Sequence, residues 1–366
     1  MIHSLTLAPR LMAEIAFPSP TATKVMAELA MALHFFRQSY PGDMLDPAAL
    51  AAAEAALTAR LTSDAHLALL ANPFLTAQAL TPYIFLRGAI APLPPFEALL
   101  AELVREDASL REATPYRRME RGYLLAKLGR AALPCWRGAA ILHDARRAWA
   151  FNRDATYAFT HTVLFATDFA AVQRPEPFVK GIALMALAQA HAAADLDLFW
   201  ELAVCLMSQP LDPHELAGLC HMAADLRDRH RGLFQADDLA AAYHPVLVHD
   251  ILRGRLLARH GIDLWTVAAA ADGRYPALLN LSRALGGKDA SRIAAAHAAL
   301  PSAGWSDAMT RDRLSQLRHL ARREVLFLRE LGPGHASQPE LYHSYATQIG
   351  GILSGLARAR AANALA

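Results

Sequence analysis

Proline limits the length of every regular element this chain can form. Pro18 with Pro20, Pro41, Pro73, Pro82, and Pro92 with Pro94 and Pro95 break its first third. Pro115, Pro134, Pro175 with Pro177, Pro210 with Pro213, Pro245, Pro276, Pro301, Pro333 and Pro339 break the rest. A proline inside a helix deletes a hydrogen bond and clashes with the carbonyl one turn back. It also pushes the preceding residue out of helical space. Between the breaks, apolar residues recur three and four positions apart, as in Leu99, Leu100 and Leu103, or Leu314, Leu317 and Leu320. Ala and Leu dominate the 54% of hydrophobic residues, while the β-branched residues that suit strands are sparse. These features predict an all-α fold of antiparallel helical hairpins, arranged as a solenoid or an α/α toroid. Two helix starts carry their own signals: Asp46 before Pro47, and Asp212 before Pro213 with Glu215 completing a capping box.

Residues 1–366 read as a single helical unit. The polar stretch 111–121 offers one place for a subdivision, into 1–115 and 116–366. Lys and Arg number 36 against 34 Asp and Glu, a formal charge of +2, which argues against nucleic acid as a partner. The basic run from Arg311 to Arg323 reads as a solvated helix face. The N-terminus lacks a basic region followed by an apolar run. The most apolar segment, 181–194, contains Gln189 and His191 and is too short to span a bilayer, so no membrane partner is expected. Cys135, Cys205 and Cys220 form no CxxC and sit in apolar surroundings. They read as buried thiols of a reducing compartment, and the expected location is cytoplasmic.

Polar residues that interrupt apolar helices carry the functional reading. In Tyr157 to Phe169, His161 and Asp168 lie seven apart and share a helix face, with Thr160 and Thr167 on the adjacent line. Buried polar groups need partners. The pair either ties helices together or forms a site wall, with His161 as ligand or base and Asp168 beside it. A second cluster runs from Tyr243 and His244 through Pro245 to His249 and Asp250, and Pro245 places His244 at a helix entrance. His191 with Asp195, and His221 with Asp225, have the four-residue spacing of a helical pair. Asp197 and Glu201 repeat that spacing as two carboxylates beside Trp200. Tyr342 and His343, ahead of Gly350 and Gly351, read as packing residues first and pocket lining second.

The run Thr160-His161-x-x-x-Phe165-x-Thr167-Asp168-Phe169 resembles the signature of a bacterial all-α family met beside biosynthetic genes, with Ala170 where that pattern carries Gly. Tyr243-His244 resembles its second signature, with Pro245 and Val246 in place of Thr. The resemblance implies a helical fold and an enzyme.

The reading reached is an enzyme of bacterial specialised, or natural-product, metabolism acting on a small molecule or peptide at a site between helices. His161, Asp168, Tyr243 and His244 are the candidate catalytic residues. In one version His161, Asp168 and His244 hold Zn²⁺ or Fe²⁺, since imidazole with carboxylate suits both ions. In a metal-free version His161 is a general base oriented by Asp168. The alternative is a helical-repeat scaffold that binds a protein or peptide. A homo-oligomer is compatible with either.

Overall fold

The computed structural model describes residues 2–17, 19–70, 76–105, 115–135, 153–235, 239–267 and 282–283. Among these residues the chain is all-helical. Its helices are α1 (His3–Glu14), α2 (Pro20–Ser39), α3 (Pro47–Leu61), α4 (Asp64–Leu70), α5 (Thr76–Leu86), α6 (Pro94–Arg105) and α7 (Pro115–Lys127). They continue with α8 (Arg153–Ala166), α9 (Pro177–Ala193), α10 (Leu196–Met207), α11 (Pro213–Arg229) and α12 (Leu239–His260). The basic run at Arg311–Arg323, the Tyr342–His343 pair and Gly350–Gly351 lie outside the described residues.

Proline and its caps set the helix starts as expected. Asp46 accepts from the amides of Ala48 and Ala49 ahead of Pro47. Asp212 and Glu215 form the full capping box around Pro213. Three prolines nevertheless lie inside helices: Pro9, Pro82 and Pro245. His244 is therefore not at a helix entrance. Helix α12 begins at Leu239, so Pro245 falls in its second turn, where packing on three sides holds the helix through the missing bond.

Helix α12 organises the rest. It packs on α1, α2 and α10, while α2 packs on α5, α8 on α7 and α10, and α9 on α10. The contact of α12 with α1 and α2 joins distant parts of the chain, unlike the neighbour-only stacking of an open solenoid. One continuous core of buried apolar residues runs from Ile2 to Leu264. The described part of the 111–121 stretch opens α7, whose Met119, Tyr123 and Leu124 enter that core.

Asp250 fixes the α1–α12–α2 junction. Its Oδ2 accepts from the Ser4 amide at 2.8 Å and the Ser4 hydroxyl at 2.7 Å. The Tyr40 hydroxyl donates to its carbonyl at 2.6 Å. Gly254 permits the close approach: a Cβ there would lie 2.7 Å from Tyr40 Cε2 and 3.0 Å from Ser39 Cβ. Buried His191 joins α9 to α11 through Asp225 Oδ2 at 2.9 Å, and its other ring nitrogen lies 2.6 Å from the Ser282 hydroxyl. Cys205 and Cys220 are buried as expected, but Cys135 is exposed.

Two outcomes follow from this packing. Gly254→Ala overpacks the junction and lowers stability by about 1–3 kcal/mol, read in thermal unfolding. Burial, against the pull of Asp225, lowers the pKa of His191 to about 4 from 6.5. Burial beside Lys127 does the same for His34. The unfolded chain then binds more protons than the folded one between those values, so stability falls as pH drops from about 6.5 to about 4. The fall should be shallower in His191→Gln, and an unchanged slope would exclude His191 as a contributor.

Candidate metal centre and cavity

Helix α10 is apolar almost throughout, and every residue from Leu198 to Met207 is buried. Asp195 caps its start, accepting from the Leu198 amide at 3.3 Å. Asp197 and Glu201 interrupt the apolar run four residues apart, one turn above the other on one face. Helix α12 brings His244 against them. Its Nε2 lies 3.0 Å from Asp197 Oδ1 and 3.4 Å from Glu201 Oε1. On the other side of the ring, Nδ1 lies 3.1 Å from Glu28 Oε2 of α2.

The remaining oxygens of these carboxylates are held from outside. Tyr157 of α8 donates its hydroxyl to Asp197 Oδ2, and Thr160 donates to Glu201 Oε2. Tyr243 donates to Glu28 Oε2 at 2.8 Å, and Lys24 lies 3.5 Å from Oε1. Asp197 Oδ1 is buried and makes no hydrogen bond among the described residues. Its approach to Nε2 is an ion-pair distance without hydrogen-bond alignment. Thus Asp197, Glu201 and His244 each turn one ligand-type atom toward a common point, all within 4.8 Å of one another.

Two of the three spacings in this group fit a cation. Zn²⁺ sits about 2.1 Å from imidazole and carboxylate ligands. Two ligands at that distance are about 3.0 Å apart at a right angle and about 3.4 Å apart at a tetrahedral one. The two distances from Nε2 match these spacings. The same atoms can share a proton. Burial opposes charge on His244, but Glu28, Asp197 and Glu201 outweigh it and hold its pKa well above 6.5. Burial likewise works against ionised Asp197, yet His244 and the Tyr157 hydroxyl bring its pKa down to about 2. A bound metal must therefore displace the proton on His244.

The centre opens on a cavity of about 580 Å³ between α2, α5, α7, α8, α10 and α12. Glu201 and His244 form part of its wall. Farther along stand Phe35, Tyr123, Phe165 and Phe169, with the Phe35 and Phe169 ring centroids 4.6 Å apart. His161 lies on the same wall. Its Nδ1 is 2.7 Å from the Tyr157 carbonyl.

Of the four residues singled out from sequence, His161 and His244 line this cavity. Tyr243 supports Glu28 from behind. Asp168 is elsewhere, because α8 ends at Ala166 and Asp168, Phe169 and Ala170 all have left-handed φ of 52°, 50° and 61°. The chain turns away, and the seven-residue alignment with His161 does not form. Asp168 instead accepts from Tyr123 at 2.8 Å and from Lys127 at 2.6 Å. Arg255 donates to the carbonyls of Asp168 and Phe169, and Arg259 to that of Ala170. The glycine that the resembled signature carries at the Ala170 position suits this backbone.

The other candidate pairs also exchange partners. His191 joins Asp225 across helices, and Asp195 pairs with Arg153 at 2.8 Å. His249 is buried among the rings of Trp200, Phe234 and Trp265. Sequence reasoning noted Asp197 and Glu201 but did not join them to His244, and it passed over Glu28. Glu28 did leave a signal: it is the one acid within the apolar run from Val25 to Phe36.

No described helix is long and apolar enough to cross a membrane. No curated protein and no solved structure matches the chain. A family model described as a domain of unknown function (DUF6895) matches residues 8–250, which spans every residue of the centre and all of the cavity wall except Ile251. The chain belongs to the DUF6895 family.

Proposed function

We propose that this protein is a metal-dependent enzyme that binds one divalent cation through Asp197, Glu201 and His244 and its substrate in the adjoining cavity. The convergence of three ligand-type atoms carries the reading: Tyr157 and Thr160 hold the second oxygens of Asp197 and Glu201, and Glu28 lies at ion-pair distance, 3.1 Å, from the other nitrogen of His244. A carboxylate behind the histidine, as Glu28 stands behind His244, is the usual way a protein fixes a metal-binding imidazole. Tyr157 and Thr160 restrain the two carboxylates in the same way. One imidazole and two carboxylates suit Zn²⁺, Fe²⁺ or Mn²⁺. Such an ion supplies Lewis acidity or an activated water when bound. This ligand set replaces the earlier expectation of His161 and Asp168 beside His244, since Asp168 is committed to Lys127 and Tyr123.

The excess of buried negative charge supports the same reading. Without a cation, three carboxylates surround one imidazolium, and the nearby cations Lys24 and Arg153 are exposed side chains. Paired charge of this kind costs stability unless something else is gained. The setting we propose is specialised metabolism in a reducing, cytoplasmic compartment, on the motif resemblance and the free cysteines.

The test is calorimetric titration of EDTA-treated protein with Zn²⁺ and Mn²⁺. The expected result is one equivalent bound, with loss of binding in His244→Ala and about 10–100-fold weakening in Glu28→Gln. Asp168→Asn should bind as wild type does. Glu201→Gln should weaken metal binding while leaving the metal-free protein at least as thermally stable. Absence of binding to the wild type, or unchanged affinity in His244→Ala, would refute the proposal.

A further inference from the structure

The cavity walls point to what it holds. Four aromatic rings, Phe35, Tyr123, Phe165 and Phe169, form its end away from the centre. Their centroid separations of 4.6–6.1 Å, in stacked, tilted and edge-on pairs, are those of packed aromatic surfaces that accept a further ring. A volume of about 580 Å³ is that of a site for a drug-sized molecule. The charges on its wall are predominantly acidic: Glu28, Glu120, Asp154 and Glu201 against Lys24 and the protonated His244.

His161 supplies one directional group between the two ends. Its ring lies 6.2 Å from Tyr157 and 5.9 Å from Phe165, centroid to centroid. A backbone carbonyl only accepts, so the short contact with the Tyr157 carbonyl requires Nδ1 to donate. The neutral ring then carries its lone pair on Nε2, on the edge turned away from the helix backbone. Nε2 is not among the buried atoms and makes no hydrogen bond to another described residue. A fixed acceptor beside aromatic rings selects a flat ligand that carries a hydrogen-bond donor.

We infer that the cavity binds an aromatic compound bearing an uncharged hydroxyl or amine donor, which His161 Nε2 accepts, and that it rejects aromatic carboxylates. The inference rests on the cavity being the substrate site of the proposed enzyme, but not on the metal. His161 is a substrate-binding residue in this reading, placed to take the donor's proton if the reaction ionises it.

The test uses EDTA-treated protein and three probes of one shape: 2-naphthol, naphthalene and 2-naphthoate, titrated at neutral pH, where the last is anionic. The expected order is 2-naphthol tighter than naphthalene by about three- to tenfold, the worth of one neutral hydrogen bond, with 2-naphthoate weakest. His161→Phe keeps a ring on the wall and removes the acceptor. It should bring 2-naphthol down to the level of naphthalene and leave naphthalene unchanged. Phe165→Ala should weaken both. The inference is overturned if 2-naphthoate binds as tightly as 2-naphthol, if His161→Phe keeps the preference, or if no probe binds. Metal titration of His161→Phe separates the two claims. Wild-type cation binding with a failed probe series sinks only the ligand class, and the converse sinks only the metal.

Discussion

His244 stands where α2, α10 and α12 meet, and the charge gathered around it is the interaction on which the site depends. A single imidazole faces Glu28 with one nitrogen and Asp197 and Glu201 with the other. Carboxylates so close repel one another unless a proton or a cation lies between them. The apolar packing of α10 and α12 forces them together, and hydroxyls from Tyr157, Thr160 and Tyr243 hold their outer oxygens. The site is thus a charged knot inside an apolar bundle, and its geometry is set by the helices around it.

A second set of charges does a different job. Lys127 neutralises Asp168 and Tyr123 donates a hydrogen bond to it, while Arg255 and Arg259 hold the carbonyls of the left-handed turn that follows α8. That turn carries Phe169 to the cavity wall. The polar signature around His161 and Asp168 therefore serves two ends. Its first half faces the cavity, and its second half builds the corner that closes it.

The helical class was legible because proline spacing, capping residues and the Ala and Leu content all agree, and Asp46 and Asp212 cap where the sequence places them. The centre was only half legible. His161 and His244 stand out as polar residues in apolar helices, and so do Asp197 and Glu201. Their grouping does not, because it depends on which helices touch, and α12 returns to α2 from the far end of the described chain. Helical periodicity also failed at Asp168: the helix ends at Ala166, two residues short of what the seven-residue spacing assumes, and left-handed residues follow. Pro245 misled in the opposite sense: tertiary packing carries α12 through it, so His244 sits inside a helix and faces a partner.

The function proposed for the centre depends on Asp197, Glu201 and His244 sharing a cation. The most direct measurement is anomalous diffraction from crystals grown with Mn²⁺. The expected result is one strong peak bounded by a carboxylate oxygen of Asp197, one of Glu201 and Nε2 of His244, with Glu28 still behind the ring. A map with no peak between these residues at saturating Mn²⁺, or one whose metal is held by other side chains, would contradict it.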